Sequence, residues 1–306
     1  MPSHLPRIAV LLAAYNGLRW LEAQLDSIQG QKGVTVDVFL SDDFSTDGTS
    51  EWCSDYARRH HNVTLLPPVS RCGGAAGNFF HLIRSVDFTP FDFVALADQD
   101  DLWHPDKLLR ACTAIAAHHA AAYSSNVLAF WPDGRTLLLD KAQAQVRWDH
   151  CFEAAGPGCT YVLSNCLAVE VQNAVTQQWQ EVQQVTLHDW YIYSFARHHD
   201  FKWFIDPLPG MDYRQHINNQ LGANVGWRAL LSRYRAIRGG WWFAQVALIA
   251  RLTRQPNSRP PRWKNLHRSD LVTLAVKAQQ CRRRQRDQWL FRGMCILTAI
   301  IGVRSK

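Results

Sequence analysis

The sequence predicts an α/β fold in which a mainly parallel sheet is flanked by helices. Over the first 100 residues, apolar runs of strand length alternate with segments whose apolar residues recur at helical spacing. Clusters of polar residues follow three of the apolar runs directly. Alternating strands and helices form βαβ units, which place the carboxyl ends of the strands at one edge of the sheet, where α/β proteins bind ligands.

The predicted elements follow one another in a regular order. RIAVLLAAY (7–15) is the first strand, and the helix after it carries Leu18, Leu21, Leu25 and Ile28. The next predicted elements are strand 34–41, helix 50–60, strand 63–67, a glycine-rich loop at 71–78, helix 79–86 and strand 91–97. Farther along, AAYSSNVLAFW (121–131) and FKWFID (201–206) predict strands, and 171–184 and 188–198 predict helices.

The charge distribution divides the chain into two regions. Residues 1–225 carry 15 Lys and Arg against 24 Asp and Glu, whereas residues 226–306 carry 18 against 2. The chain is 47% hydrophobic, which indicates a globular protein. We therefore expect an α/β domain over 1–225 and a basic, aromatic helical region over 226–306.

The basic region predicts contact with an anionic membrane surface. Its longest charge-free apolar run, Gly293–Val303, has 11 residues, and a spanning helix needs about 20. The region is therefore expected to lie on a membrane rather than cross it. A basic helical cap packed on the α/β domain is the alternative. No nucleic acid partner is expected, since residues 1–225 are net acidic.

Two further patterns predict the compartment. The first residues lack the charged and apolar segments of a signal peptide. The eight cysteines include no C-x-x-C pair and show no paired framework. We therefore expect reduced thiols in a cytoplasmic protein.

The polar clusters at the predicted strand ends are Tyr15–Gly17, Ser41–Asp43 and Asp98–Asp101. A carboxylate after the second strand can accept hydrogen bonds from a nucleobase or a ribose. Neither a G-x-G-x-x-G motif nor a Walker A lysine loop is present. In DQDD, carboxylates at alternate positions can share one Mg²⁺ or Mn²⁺ ion whose shell a substrate diphosphate completes. A solvated acidic loop is the alternative.

The motifs VLLAAYNG, SDDFSTDGT, GGAAGNF and DQDDLWHPDKL resemble those of family 2 glycosyltransferases, inverting enzymes of the glycosyltransferase-A fold. GPGCTYVLSN, LHDWYIYSFA and YRQHINNQLGAN resemble the bacterial rhamnosyltransferases of surface-polysaccharide biosynthesis. The resemblance covers about residues 7–225. It implies a nucleotide-sugar half over about 1–110 and an acceptor half over about 111–225.

The resemblance also implies the donor site. Asp42 and Asp43 would hold the base and ribose of a nucleotide-diphospho-sugar, with Ala14 and Tyr15 lining the pocket. Asp98 and Asp100 would form the metal and ribose-diphosphate site. Asp98 would contact the nucleotide-sugar donor, and Asp100 would bind Mg²⁺ or Mn²⁺. Asp101 would hold a metal-bound water or cap the helix that Pro105 opens.

Three later residues complete the implied site. Asp189 would be the catalytic base that deprotonates the acceptor hydroxyl; a helix-start aspartate stabilised by the dipole is the alternative. Arg214 would reach the departing diphosphate and His216 the metal, since negative charge develops there. The alternative for these two is a loop salt bridge.

The predicted function is therefore metal-dependent, inverting sugar transfer to a lipid-linked glycan, with dTDP-L-rhamnose the favoured donor. The protein would lie in the cytoplasm on the inner face of the cytoplasmic membrane. A UDP-hexose or UDP-galactofuranose donor is the alternative among enzymes. A non-catalytic nucleotide-sugar-binding protein is the alternative outside enzymes, although such a protein would be expected to have lost Asp189 or the DQDD carboxylates.

Overall fold

The computed structural model describes residues 4–68, 70–216, 240–255 and 267–301. The strands are β1 Arg7–Ala14, β2 Thr35–Asp42, β3 Val63–Leu65, β4 Phe93–Ala97, β5 Leu102–Trp103, β6 Ala122–Ser125, β7 Val127–Phe130, β8 Thr136–Leu139, β9 Val162–Ser164, β10 Trp203–Asp206 and β11 Met211–Arg214. The helices are α1 Leu18–Gln29, α2 Thr49–Arg59, α3 Ala75–Ser85, α4 Lys107–Ala117, α5 Asn165–Gln177, α6 Trp179–Val182, α7 His188–His198, α8 Trp241–Thr253, α9 Arg268–Val276, α10 Ala278–Cys281 and α11 Gln285–Ile301.

The central sheet has seven strands in the order β10-β6-β9-β4-β1-β2-β3. Its strands pair in parallel except for β9, which runs antiparallel to both β4 and β6. Helices cover both faces, and a separate core cluster of apolar side chains lies on each. This architecture confirms the predicted α/β fold.

The strand register brings the predicted polar clusters together. Ala14 pairs with Asp42 across β1 and β2, and Leu12 pairs with Ala97 across β1 and β4. The strands therefore end side by side, with the DQDD segment directly after β4. Burial explains this arrangement, because every β1 residue from Ile8 to Ala14 is buried and must be covered on both faces.

The structure corrects two sequence-based element assignments. Helix α3 begins at Ala75, inside the predicted glycine-rich loop. The single strand predicted over 121–131 is two strands in different sheets, because the chain bends at Asn126. There the backbone N–H of Asn126 donates to the Asp206 carbonyl, and its side chain donates to the Pro207 carbonyl.

A second, four-stranded sheet, in the order β5-β11-β7-β8, follows from this bend. Strand β11 pairs with β5, which comes immediately after the DQDD segment. The sheet thus carries Arg214, the last residue of β11, back to the polar edge of the central sheet.

The described C-terminal helices pack on the α/β domain. Phe243, Val246 and Ile249 of α8 lie in the same core cluster as side chains of α3, α5 and α7. In α11, Phe291 and Cys295 are buried in that cluster as well. The inner sides of these helices therefore form the cap that was the alternative to membrane contact. Every helix in the described parts of the chain is too short or too polar to cross a bilayer.

A buried ionic cluster fastens the C-terminal region. The fully buried Asp149 carboxylate lies 2.9 Å from Arg197 Nη1 and 3.6 Å from Arg283 Nη1, and it accepts the Tyr193 hydroxyl at 2.8 Å. Arg283 is itself buried and also pairs with Glu153. Burial opposes ionisation of Asp149, but a hydrogen bond from His150 and the charges of Arg197 and Arg283 hold its pKa below the usual value.

We predict that Asp149→Asn lowers the free energy of unfolding by about 3 kcal/mol, because it leaves the buried Arg283 and the partly buried Arg197 without their shared anion. Urea unfolding followed by circular dichroism measures the loss. Asp55→Asn, which breaks the exposed pair with Arg58, is the matched control and should cost less than about 1 kcal/mol. Equal losses in the two variants would contradict a structural role for Asp149.

Candidate active site

The end of β1 is fixed by a reciprocal pair of hydrogen bonds. The Tyr15 backbone N–H donates to Gln99 Oε1 at 2.8 Å, and Gln99 Nε2 donates to the Tyr15 carbonyl at 3.0 Å. The Tyr15 ring stays 43% exposed, and Arg71 donates to its hydroxyl. Of the two sequence-predicted residues, Tyr15 therefore presents an accessible side chain, whereas Ala14 is buried beneath it.

The two aspartates after β2 play different structural roles. Asp42 is half-buried and accepts hydrogen bonds from Ser45 and Ser50. Asp43 is buried, and both of its oxygens accept backbone N–H groups of the loop at Cys72 and Gly73. Asp43 thus holds this loop against the strand ends, although a carboxylate oxygen retains further acceptor capacity.

The DQDD segment concentrates negative charge. Side-chain atoms of Asp98, Asp101 and Cys159 that could bind a metal lie within 4.8 Å of one another. Burial, and secondarily the charge of Asp100, raises the pKa of Asp98 to about 7. The pKa of Asp101 is raised well above its usual range by burial and then by Asp100 and Asp98. The site therefore disfavours its own full ionisation unless a cation is added.

The Asp100 carboxylate lies next to His216, the other residue predicted to hold the metal. His216 Nε2 and Asp100 Oδ2 are 2.6 Å apart, and the His216 ring stacks on Trp20 with centroids 4.2 Å apart. Arg214 Nε donates to the Asp100 carbonyl at 2.9 Å, and its backbone N–H donates to Asp101. Asp98, Asp100, Arg214 and His216 are thus brought together, while residues 217–224 of the last motif lie outside the described residues.

These residues fit a hard divalent cation. Among the described residues, no hydrogen-bond donor meets the buried Asp101 Oδ2. The Asp98 and Asp101 carboxylates lie together there, His216 contacts the adjacent Asp100, and carboxylate oxygen is the ligand that Mg²⁺ and Mn²⁺ prefer. The Cys159 thiol has a pKa well above its usual value because of burial and the nearby aspartates, so it is a neutral neighbour rather than a thiolate ligand.

Asp101 does not cap the helix, contrary to one of its two predicted roles. Helix α4 begins at Lys107 and is preceded by Asp106. The Asp101 side chain is instead fully buried, where it accepts the Arg214 N–H. The helix start lies five residues too late for the Asp101 side chain to reach its N–H groups.

Asp189 lies in the first turn of α7 and close to the DQDD carboxylates. It is half-buried, accepts the Trp190 N–H at 2.7 Å, and its charge contributes to the raised pKa of Asp98. Burial raises the pKa of Asp189 itself to about 6. Its neighbour His188 is stacked on Phe79, and burial lowers the His188 pKa to about 3. A neutral, enclosed His188 is therefore a packing residue beside Asp189.

Gly158 determines how closely α7 approaches the sheet. A Cβ at this position would lie 2.4 Å from His188 Nε2 and 3.3 Å from the Asp189 Cβ. Only glycine leaves room for both side chains in their present positions, so Gly158 helps to place the Asp189 carboxylate.

Sequence reasoning missed three supporting residues. Asn78 Nδ2 bridges the carbonyls of Ala14 and Ser41 and so ties the ends of β1 and β2 together. Cys159 approaches the aspartates, and the buried Lys107 ammonium lies 3.5 Å from the Trp103 ring centroid. Burial lowers the Lys107 pKa to about 7. Only the GGAAGN and DKL motifs hinted at Asn78 and Lys107.

Comparison with known proteins identifies the family of this chain. The family model described as "Glycosyl transferase family 2" matches residues 9–157. The dTDP-rhamnosyl transferase RfbG of Shigella flexneri is 43% identical over 240 residues, which is 78% of this chain and 83% of that protein. The chain belongs to the family 2 glycosyltransferases. It is accordingly an inverting glycosyltransferase, as the sequence motifs predicted.

Solved structures support the glycosyltransferase-A fold of this family 2 enzyme. The mannosyltransferase PcManGT of Pyrobaculum calidifontis, in complex with GDP-Man and Mn²⁺, aligns with a TM-score of 0.54 at 16% identity, over 98% of this chain and 87% of that one. Staphylococcus aureus TarS 1-349, in complex with UDP-GlcNAc, aligns with a TM-score of 0.54 at 12% identity, over 96% and 89%.

We predict that Gly158→Ala lowers kcat by about 100-fold, because the added methyl displaces the turn that carries Asp189, and misplacement by about 1 Å costs that much. Transfer to a soluble acceptor measures it, and donor affinity should stay near wild type. Gly293→Ala, where the methyl meets open space, is the matched control and should retain activity. Unchanged turnover in Gly158→Ala would exclude this positioning role.

Proposed function

We propose that the protein transfers L-rhamnose from dTDP-L-rhamnose, with inversion, to a glycan on a lipid carrier at the inner face of the cytoplasmic membrane. The observation that carries the donor assignment is the 43% identity to a dTDP-rhamnosyl transferase over most of both chains. The convergence of Asp98, Asp100, Asp189 and Arg214 at one sheet edge supports the reaction type.

In this proposal the nucleotide lies across the ends of β1 and β2. Ala14 and Tyr15 line the base pocket, with the exposed Tyr15 ring available for stacking. Asp42 and Asp43 accept hydrogen bonds from the base and the ribose. Asp98 accepts a hydrogen bond from the ribose, beside the diphosphate. The Gln99 and Asn78 hydrogen bonds keep these strand ends in place before the donor binds.

Asp100 and His216 hold the divalent ion, which is Mg²⁺ or Mn²⁺. When bound, this ion neutralises the charge of the diphosphate. Arg214, fixed against the Asp100 carbonyl and 4.7 Å from the Phe130 ring centroid, places a permanent positive charge at the same edge. Its role is to stabilise the nucleoside diphosphate as it departs, when negative charge increases there.

Asp189 removes the proton from the attacking acceptor hydroxyl. An effective base has a pKa near the working pH, and burial raises the Asp189 pKa to about 6. The carboxylate is therefore ionised at neutral pH, yet more basic than an exposed aspartate. Two other acids of the acceptor half, Asp149 and Asp212, are engaged by Arg197 and His104 respectively.

We predict that the purified protein hydrolyses dTDP-L-rhamnose at least about tenfold faster than a UDP-hexose or UDP-galactofuranose. Contacts of the pocket with the sugar and the base can produce a preference of this size. The panel is run with Mn²⁺ or Mg²⁺ and followed by nucleotide release. EDTA should abolish the reaction, and either ion should restore it. Preference for a UDP-sugar would overturn the donor assignment, and full activity in EDTA would overturn the metal assignment.

We predict that Asp189→Asn lowers kcat by ~10²–10⁴-fold, as expected when a general base is removed, while donor affinity stays near wild type. In the wild type, kcat should rise with pH through about 6 and then level off, because the base works only when deprotonated. Asp200→Asn, just beyond the other end of α7, is the control and should keep wild-type kcat. Wild-type turnover in Asp189→Asn would place the base elsewhere.

A further inference from the structure

Beyond its polar first turn, Gln285–Gln288, helix α11 is largely apolar on the side that faces solvent as well as on the side that faces the core. Its inner side buries Phe291 and Cys295. Its outer side exposes Trp289 by 63% and Ile300 by 70%, and also Leu290, Ile296 and Leu297. A helix that is apolar all round is normally covered on every side, so the outer side of α11 indicates a contact partner.

Helix α9 packs against α11 and also exposes apolar side chains. Val272 and Val276 are exposed, one turn apart, while Leu271, Leu274 and Ala275 face inward. Arg292 Nε donates to the Ala275 carbonyl, which ties the two helices together. We call Val272, Val276, Trp289, Leu290, Ile296, Leu297 and Ile300 the outer apolar face.

Positive charge lies beside this face. Residues 268–301 contain seven Lys and Arg against two Asp, and of the seven only Arg283 is buried in the ionic cluster with Asp149. Lys277 follows Val276 directly, Arg286 lies one turn before Trp289, and the Arg292 guanidinium lies 4.6 Å from the Trp289 ring centroid. Asp287, within the same segment, is paired with Arg282 and Arg286. A second copy of the chain would bring the same positive charge against this face and be repelled.

The dimensions match contact along a bilayer rather than across one. Helix α11 has 17 residues, or about 25 Å of length, and carries Arg286 and Arg292 one turn before and after Trp289. This is the pattern of a helix that lies in the interface with its apolar side in the acyl region, its cations at the phosphates and a tryptophan at headgroup level.

We propose that the outer apolar face seats the protein on a bilayer rich in anionic phospholipid. This deepens the proposed function, which rests on a lipid-linked acceptor, by naming the surface that meets the membrane. The proposal also assigns different roles to the tryptophans of the basic region. Trp289 contacts lipid, whereas Trp242 packs between Phe152, Trp190 and Phe291 and belongs to the core. Trp227 and Trp263 lie outside the described residues.

The test is flotation of the full-length protein with vesicles of phosphatidylglycerol and phosphatidylethanolamine, or of phosphatidylcholine alone, without donor or acceptor. The wild type should bind the anionic vesicles at least tenfold more strongly, and high salt should weaken that binding. The triple variant Trp289→Ser, Ile296→Ser, Ile300→Ser should lose at least tenfold of it. All three sites are exposed, so circular dichroism should show an intact fold.

A matched control replaces exposed apolar residues with serine elsewhere on the surface. Leu137→Ser, Leu138→Ser and Leu208→Ser remove three leucines that are also exposed, and this variant should bind vesicles like the wild type. Lys277→Gln with Arg286→Gln should weaken binding several-fold and reduce its salt dependence. Equal binding to both vesicle types, or equal loss in the two triple variants, would overturn the proposal.

Sedimentation velocity and donor hydrolysis separate the remaining outcomes. If the wild type is a dimer that the triple variant disrupts and neither binds vesicles, the face is an interface between copies and the membrane proposal is wrong. Hydrolysis of dTDP-L-rhamnose should be unchanged in the triple variant. Loss of vesicle binding with intact hydrolysis supports the surface, whereas vesicle binding by a protein that rejects this donor would refute only the proposed function.

Discussion

Repulsion among carboxylates at the end of β4 is the constraint around which the site is built. Asp98, Asp100 and Asp101 follow a buried strand within four residues, and α7 adds Asp189. Burial first, and then the neighbouring carboxylates, raise the pKa values of Asp98 and Asp101, so full ionisation of this pair is unfavourable without a cation. In the proposed function, a metal-bound diphosphate would supply the complementary charges.

The second sheet offsets part of this repulsion and thereby explains its own position. Strand β11 pairs with β5, immediately after the DQDD segment, so that Arg214 can donate to Asp101 and to the Asp100 carbonyl. Arg214 contacts this segment through its backbone N–H and through its guanidinium, which donates to a carbonyl. In the proposed function the same guanidinium would also stabilise the departing diphosphate.

Local pattern was sufficient for the central sheet and for the edge that holds the site. The apolar runs of β1, β2 and β4, each followed by polar residues, predicted which strand ends would meet. The bend at Asn126 and the second sheet could not be predicted, because they depend on hydrogen bonds to Asp206 and Pro207, distant in sequence. Cys159 and Gly158 were equally hidden, since their importance lies in what packs against them.

The buried Arg283 connects the C-terminal helices to α7, the helix that carries Asp189. Its guanidinium meets Asp149, which accepts the Tyr193 hydroxyl, and Tyr193 belongs to α7, whose first turn carries Asp189. Gln245 of α8 also bonds the backbone just before α7, at Gln184 and Thr186. The outer apolar face is therefore fixed to the helix that presents Asp189, through contacts that leave little freedom between them. A surface that orients α9 and α11 on a membrane would orient Asp189 with them.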